Sequence, residues 1–305
     1  MLWQNGVIID LGTLGGHQSR AVAINNRGQV IGTSTTTAGR YRAFVWQNGA
    51  MTDLGTLPGG GATNPVAIND RGQIVGDSGA RAFLWQKGSM TDLGTLPGGE
   101  HSSAGAINDR GQVIGIADTR SSEERAFLWD RGVMTELRFS AADTESHAIA
   151  VNDAGQVLGD GDGQALLWRA GRSTPLGNLG GACCELGNVN SRGQVVGTSA
   201  TRTGVDRAFL WRSGVMVELP APAGRTYTGA ITINDRGEVL GYDTTAAGQT
   251  GDVQSFYWAN GRLTILAPLA GAVRSGGVAM NNARQIVGYS YTASGSEHAV
   301  MWKID

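Results

Sequence analysis

One unit of sequence recurs along the whole chain. Its clearest copy is AINDRGQIVGDSGARAFLWQKGSMTDLGTLPGG, residues 67–99. Eight tryptophans, Trp3, Trp46, Trp85, Trp129, Trp168, Trp211, Trp258 and Trp302, are spaced by 39 to 47 residues and so mark seven intervals. The asparagine of the AIND motif marks seven units as well, at Asn25, Asn69, Asn108, Asn152, Asn190, Asn234 and Asn281. Repeats of this length are typical of propeller blades. Within each unit, turn residues separate four short apolar runs rich in Val, Ile, Phe, Trp and Thr. We name them strands A (ending AIN), B (QIVG), C (RAFLW) and D (SMTDLGTL). No stretch sustains a helical period. Four antiparallel strands repeated seven times predict an all-β, seven-bladed β-propeller. A parallel β-helix is the runner-up, but its coils are shorter and lack hairpins.

The expected blades cover about 18–57, 62–96, 103–140, 146–179, 185–220, 227–269 and 275–304, in one propeller domain over 1–305. Residues 7–14, VIIDLGTL, read as a D strand with no A or B before it, whereas the C-terminal unit has A, B and C but no D. The economical expectation is that residues 6–14 complete the seventh blade and leave no open edge. The Arg of RAF and the acid of TDL support this, because they come and go together. Arg42/Asp53, Arg81/Asp92, Arg125/Glu136 and Arg207/Glu218 keep both; blades four and six have Gln164/Pro175 and Gln254/Ile265. Cross-strand charge pairs would produce that pattern, and the seventh pair would be His298 with Asp10. The glycine closing each turn is expected to supply φ > 0 in a bulged hairpin. Arg284 replaces it in the last unit, where a looser turn is expected.

The motifs MTDLGTLPGG, AINDRGQVIG and A-F-x-W resemble the HAF-type extracellular repeat family of bacteria over nearly the whole chain. The family's His-Ala-Phe triplet is mostly Arg-Ala-Phe here, as at Arg81-Ala82-Phe83; only His298-Ala299 keeps the histidine. The resemblance implies a bacterial repeat scaffold outside the cell and carries no catalytic residues with it. The start, MLWQNG, has neither the basic region nor the apolar core of a signal peptide. A cytoplasmic location is therefore expected for the chain as it stands, or a secreted one if an upstream segment was removed. Adjacent Cys183 and Cys184 offer no disulfide framework, which fits a reducing compartment. With net charge −2, 16% charged residues and no Lys/Arg run, nucleic acid is not an expected partner. No apolar run is long enough to span a membrane. No cofactor is expected, and a monomer is.

Loop lengths distinguish the two faces. The B–C connection, from the last glycine of strand B to the Arg slot, varies from 5 to 13 residues, whereas the A–B and C–D turns stay short. The B–C and D–A connections share one face of an up-and-down blade, so a ligand is expected there, over the central channel. Six residues before each marker asparagine the slot is nearly constant: Ser19, Thr63, Ser102, Ser146, Cys184, Thr228 and Ser275. Seven before it no residue type recurs: Gln18, Ala62, His101, Glu145, Cys183, Tyr227 and Arg274. Five before it stand Arg20, Asn64, Ser103, His147, Glu185, Gly229 and Gly276. Slots −7 and −5 share one side of a strand. Their divergence fits either selection for a binding surface or solvent-exposed drift. The candidate ligand-binding residues are Gln18, Arg20, Asn64, His101, Glu145, His147, Cys183, Glu185, Tyr227 and Arg274.

Three functions follow as expectations. The first is a non-catalytic module binding a small molecule, a peptide or a protein on the variable face. The second is a propeller lyase or hydrolase using His101, Glu145, His147, Cys183 and Glu185, with general acid–base chemistry at His147 or a Cys183 nucleophile served by His101 or His147. The third is a structural surface repeat. Zinc could take the same imidazole, thiolate and carboxylate groups, but no close ligand spacing such as C-x-x-C occurs and no metal is expected. Asp118, Glu123, Glu124 and Asp143 are expected to form an acidic rim. The tryptophans read as core, which leaves only Tyr41, Tyr227, Tyr289 and Tyr291 as aromatic surface.

Overall fold

A computed structural model describes residues 2–4, 7–9, 11–139, 146–245, 253–267, 275–291 and 297–304, with backbone only for 2–4, 7–9, 287–291 and 297–301. The fold is all-β, a seven-bladed β-propeller. The chain divides into two compact units, 1–153 and 154–305.

In the first unit, blade one pairs Gly15–Ile24, Val30–Thr36, Tyr41–Gln47 and Ala50–Asp53 in order. Blade two does the same with Thr63–Ile68, Ile74–Ser78, Arg81–Gln86 and Ser89–Asp92. Blade three follows with Ser102–Ile107, Val113–Asp118, Glu124–Asp130 and Val133–Glu136. Ser146–Val151, strand A of blade four, ends this unit. In the second unit, Val157–Gly161, Gln164–Arg169 and Arg172–Pro175 are strands B to D of that blade. Blade five is Glu185–Val189, Val195–Ala200, Asp206–Arg212 and Val215–Glu218. Blade six is Tyr227–Ile233, Val239–Thr244, Gln254–Ala259 and Arg262–Ile265. Blade seven contributes Ser275–Met280, Gln285–Tyr291 and Glu297–Lys303. At the N-terminus, Val7–Ile9 pairs with Leu2–Gln4 as a hairpin. The closing pair expected from the sequence, His298 with Asp10, lies outside the described side chains.

Strand D is shorter than its apolar run. It stops at the acid of TDL, because Gly55, Gly94 and Gly177 then take φ of 80°, 85° and 74° and turn the chain. The leucine after the acid still folds inward: Leu93 is 4% exposed, and its N–H donates to Ala82 O at 3.0 Å. Phe44, Phe83, Phe127, Phe209 and Phe256 are fully buried, each from a strand C. In blades two and three, Val75, Leu93 and Ala104 pack with Val113 and Phe127, so a core lies between neighbouring sheets. The tryptophans are less uniformly core than expected. Trp46 and Trp211 are buried, whereas Trp85, Trp129, Trp168 and Trp258 are partly exposed.

The AIND asparagine is a clasp between blades. Asn69 is 5% exposed, and its Nδ2 donates to Gln73 Oε1 (2.7 Å) and to Asn108 O of the next blade (2.9 Å). Its Oδ1 accepts from Arg71 N and Gln73 N. Asn25 and Asn108 do the same in the first unit, and Asn190 in the second. The following Asp adds a second tie: Asp109 Oδ1 accepts Asp70 N–H at 2.8 Å. The constant −6 hydroxyl is another lock. Ser102 Oγ accepts Ala82 N–H (3.0 Å) and donates to Gly94 O (2.7 Å) in the preceding blade. Motif constancy here serves blade-to-blade hydrogen bonding, since a buried polar group left unpaired is costly.

The A–B turns are bulged hairpins as expected: Gly72 N donates to Asn69 O, Asn69 N donates to Gln73 O, and Gly72 has φ 77°. The C–D turns differ. Both central residues have positive φ, as in Lys87 (51°) and Gly88 (83°), which is the type I′ geometry that matches strand twist. Arg284 does not loosen its turn. It takes φ 60° and donates N–H to Asn281 O at 3.2 Å. Gly72 elsewhere sits close to Gln29 of the preceding blade; at the matching place Arg284 Nε meets Glu238 Oε1 at 2.9 Å. The Gln-to-Glu and Gly-to-Arg changes therefore compensate. Burial pushes the Glu238 carboxyl up, but hydrogen bonds from Asn234, Arg284 and Tyr257 outweigh it and hold the group below the ordinary glutamate range. The stabilisation is present above the unfolded-state pKa and is lost as pH falls through the folded value. Each single variant, Glu238→Gln or Arg284→Gly, is expected to melt lower than the parent, and the double variant to recover most of the loss. A thermal double-mutant cycle checks this.

Three of the four described Arg/acid pairs form: Arg81–Asp92 at 3.3 Å, Arg125–Glu136 at 3.8 Å and Arg207–Glu218 at 3.1 Å. Asp92 lies opposite Phe83, so Arg81 is its diagonal neighbour. Arg42 breaks the expectation: its Nη1 donates to Gly61 O at 3.1 Å, while Asp53 Oδ1 accepts Gly55 N–H. Gly61 lies in the D–A connection, and Arg207 Nη1 reaches the matching carbonyl, Thr226 O, while keeping its pair with Glu218, so the carbonyl contact by itself does not exclude the pair. An exposed pair contributes no more than about 1 kcal/mol. Among the described residues no helix is long and apolar enough to cross a membrane.

Candidate functional site

Slot −5 is paired with strand B, whereas the slot −7 residues Ala62, His101 and Cys183 stand just before strand A, and that placement decides what they can do. Each −5 residue faces the residue after the strand B glycine: Asn64 with Asp77, Ser103 with Ile116, Glu185 with Thr198, Gly229 with Tyr242. In the first unit this builds a cleft of about 570 Å³ at blades two and three. His101 and Ser103, from slots −7 and −5, line it together with Ser102 between them.

The cleft is organised by Asp118, the last residue of its strand B. Its Oδ1 accepts the N–H groups of Glu100 and His101, both at 2.7 Å, and its Oδ2 accepts Nδ1–H of His101 at 3.0 Å. Asp118 was expected on a solvated rim, but its side chain is only 14% exposed, against 66% for His101. The reason is that three N–H donors converge on it. The His101 ring, with its backbone N–H, holds the Asp118 carboxyl below the ordinary aspartate range. This contribution exists above the unfolded-state pKa and disappears as pH falls through the folded one. Asp118→Ala is expected to lower the melting temperature at neutral pH, and the gap to the parent should narrow on acidification. A pH series of melting curves reads this directly.

Asp77 also lines the cleft and is partly buried. Ser103 Oγ–H donates to its Oδ2 and Ala104 N–H to its Oδ1, each at 3.0 Å. Desolvation raises the Asp77 carboxyl above the ordinary range, and the two hydrogen bonds only partly offset it. Arg120, Glu100 and Glu124 complete the polar lining, and the apolar side chains are Ile116 and Ala117 with Ala80. Glu123, expected on the rim, is drawn into an ion pair with Arg125 at 2.8 Å.

The other candidates are placed as follows. Gln18 is exposed and its Oε1 accepts the Tyr41 hydroxyl at 3.1 Å. Arg20, Asn64 and His147 are exposed on their strands. Cys183 is exposed, with its Sγ 2.7 Å from that of Cys184. Burial first, and then Cys183, push the Cys184 thiol up to about 12, so it is not a thiolate at neutral pH. Glu185 and Tyr227 line a second, smaller cavity in the second unit. Glu145, Arg274 and the rim residue Asp143 lie outside the described residues. Among the described residues no three His, Cys, Asp or Glu side chains converge as a metal set. Neither serine beside His101 is poised as a nucleophile, since Ser102 is held in its blade lock and Ser103 is bonded to Asp77.

The reading of strand A alone missed Asp77, Arg120, Asp206 and Tyr242. For Asp77 and Tyr242 the slot after the strand B glycine carries the signal, because it also varies: Thr33, Asp77, Ile116, Asp160, Thr198, Tyr242 and Tyr289. Arg120 stands in a B–C loop and Asp206 at the start of a strand C.

No protein-family model matches this sequence, and no curated protein is similar to it. Solved structures do share its fold. A puromycin-hydrolyzing peptidase from Mycobacterium tuberculosis aligns over 94% of this chain and 51% of its own, at 14% identity and a TM-score of 0.58. An acylaminoacyl peptidase from Pyrococcus horikoshii aligns over 93% and 51%, at 12% identity and a TM-score of 0.56. This chain thus spans about half the length of those peptidases. The β-propeller domain of the Trilobed protease from Pyrococcus furiosus aligns over 94% of both chains, at 11% identity and a TM-score of 0.58. At such identities the likeness is one of fold, and the chain is similar to these proteins as a β-propeller.

Proposed function

We propose that this β-propeller is a monomeric, non-catalytic binding module whose ligand is polar and is held in the His101–Asp118 cleft. The supporting observation is the lining itself: Asp77, Glu100, Asp118 and Glu124 against Arg120 and His101, with few apolar side chains. Such a wall offers charge-assisted hydrogen bonds to hydroxyl, amine or guanidine groups and little to an apolar ligand. The imidazole is aimed by Asp118, so its other ring nitrogen is available to a ligand in a fixed direction. The test is a saturation-transfer NMR screen of basic peptides and neutral oligosaccharides against the parent, His101→Ala and Asp77→Asn. Binding to the parent that both variants weaken supports the module. Binding that neither changes removes the cleft from consideration.

One observation favours the enzymatic reading. A histidine oriented by a carboxylate, in the same cleft as an aspartate of raised pKa, is an acid–base arrangement. Its general base would be His101, acting on water. Loss of turnover in His101→Gln with binding retained would establish it. The MTDLGTLPGG and AINDRGQVIG motifs support reading the repeat as HAF-type, with residence outside the cell.

A further inference from the structure

We infer that blades five and six hold a second site, specific for a protonated primary amine. The cavity there is about 120 Å³ and is lined by Glu185, Asp206, Thr198, Thr244, Tyr227 and Tyr242. It belongs to the second unit, so its case does not rest on the cleft of blades two and three.

Three features select the ligand. Its charged lining is entirely acidic: Glu185 at slot −5 of blade five and Asp206 at the start of that blade's strand C, with no Lys or Arg. The cations closest in sequence are engaged elsewhere. Arg207 Nε is 3.1 Å from Glu218, and Arg225 Nε is 3.0 Å from the buried Asp243. A cation entering the cavity therefore meets two carboxylates that no cavity-lining cation neutralises.

The second feature is Thr198. It lies opposite Glu185 in the sheet and is only 7% exposed, yet among the described residues its hydroxyl makes no hydrogen bond. Thr228, by contrast, spends its hydroxyl on Ala208 N–H at 2.9 Å. A hydroxyl that opens onto the cavity with no protein partner can accept a hydrogen bond from a ligand. An ammonium group supplies it, because its three N–H donors match one hydroxyl oxygen and two carboxylates.

The third feature is aromatic. Tyr227 and Tyr242 stand on neighbouring strands of blade six, opposite Thr244 and Gly229. A Cβ on Gly229 would collide with the Tyr242 ring, so glycine at that slot leaves room for the ring. Gly276 faces Tyr289 in the same register in blade seven, the same pairing of no side chain with a large one. Ring faces beside carboxylates favour a desolvated cation over a neutral group. The small volume admits an aminoalkyl head and excludes a bulky ligand.

Two sources could present this chemistry, a free alkylamine or a lysine side chain of a peptide. Calorimetric and NMR titrations with butylammonium and with Nα-acetyl-lysine amide separate them, using 1-butanol and Nα-acetyl-norleucine amide as neutral controls. At least one amine is expected to bind at least about tenfold more tightly than its neutral control. Butylammonium alone assigns a free amine, and the lysine amide alone or more tightly assigns a side chain. Glu185→Gln and Asp206→Asn are each expected to weaken amine binding several-fold, and Thr198→Val likewise. Glu185 is exposed, so its variant folds as the parent does, and a melting curve verifies that. The inference fails if neither amine binds, if the neutral controls bind equally, or if a folded Glu185→Gln binds amines as the parent does.

Discussion

Replacing Asn108 with alanine is expected to lower stability by about 3–4 kcal/mol, a fall of about 5–6 °C in melting temperature. Asn108 is 5% exposed and saturates its amide. Its Nδ2 donates to Gln112 Oε1 and to Asn152 O, both at 2.8 Å, and its Oδ1 accepts from Arg110 N (3.0 Å) and Gln112 N (2.9 Å). Alanine removes four hydrogen bonds and strands the partners, so the desolvation of those groups is added to the lost bonds. Asn108→Asp separates the parts. It keeps the Oδ1 that closes the turn but loses the two donors, and it sets a carboxylate against the Gln112 and Asn152 oxygens. The aspartate should therefore destabilise as well, through the tie to the next blade. Chemical denaturation of both variants checks the order, with an exposed Arg172→Ala variant as reference for a surface change.

The second large effect is expected at Gly115, in strand B of blade three. Strand A carries a bulge here: Ala104 pairs with Gly115 and Ala106 with Ile114. The bulge swings the Ser103 carbonyl over Gly115, while the Phe127 ring packs against it from strand C. A Cβ would collide with Ser103 O and lie 2.9 Å from Phe127 Cε1. Backbone cannot give way as a flexible side chain can, so Gly115→Ala is expected to cost roughly 3 kcal/mol or more. The same variant displaces Ser103 and hence its hydrogen bond to Asp77, so the cleft should be disturbed along with the fold. Thermal melts give the first effect, and ligand titration at a temperature where the variant remains folded gives the second. Gly132→Ala, in a C–D turn where nothing lies within 4 Å of the added carbon but φ is 91°, should be milder and leave the cleft untouched.

These two sites show how far the repeat could be read. Asn108 and Gly115 stand at positions that hardly vary between units, so the sequence already marks them as common to every blade. It does not say what they do. The partner of Asn108 is 44 residues away, in another blade. The obstacle to a side chain at Gly115 is a carbonyl brought in by a bulge that leaves no trace in composition. The same limit applied to the charge pairs. Arg81–Asp92, Arg125–Glu136 and Arg207–Glu218 were legible because their spacing within one hairpin is fixed, whereas Arg42 has the same spacing to Asp53 and yet donates to Gly61 O, a choice of rotamer that spacing does not carry. Of the candidate site, His101 stood out through divergence at its slot. Its defining partner, Asp118, resembled an ordinary rim acid until its three N–H donors were placed around it.

By itself the sequence determined the period, the four strands of each unit, the seven blades and the face on which variation is tolerated. Those follow from local causes: two-residue alternation, turn glycines and repeat length act within some forty residues. Tertiary structure alone decided which divergent residues share a cavity. His101 meets Asp118 and shares its cleft with Asp77, and Glu185 shares a cavity with Tyr227 and Tyr242, because neighbouring strands and blades bring distant residues together. Strand register and blade packing set those meetings, and both depend on contacts between segments that the chain order does not place side by side.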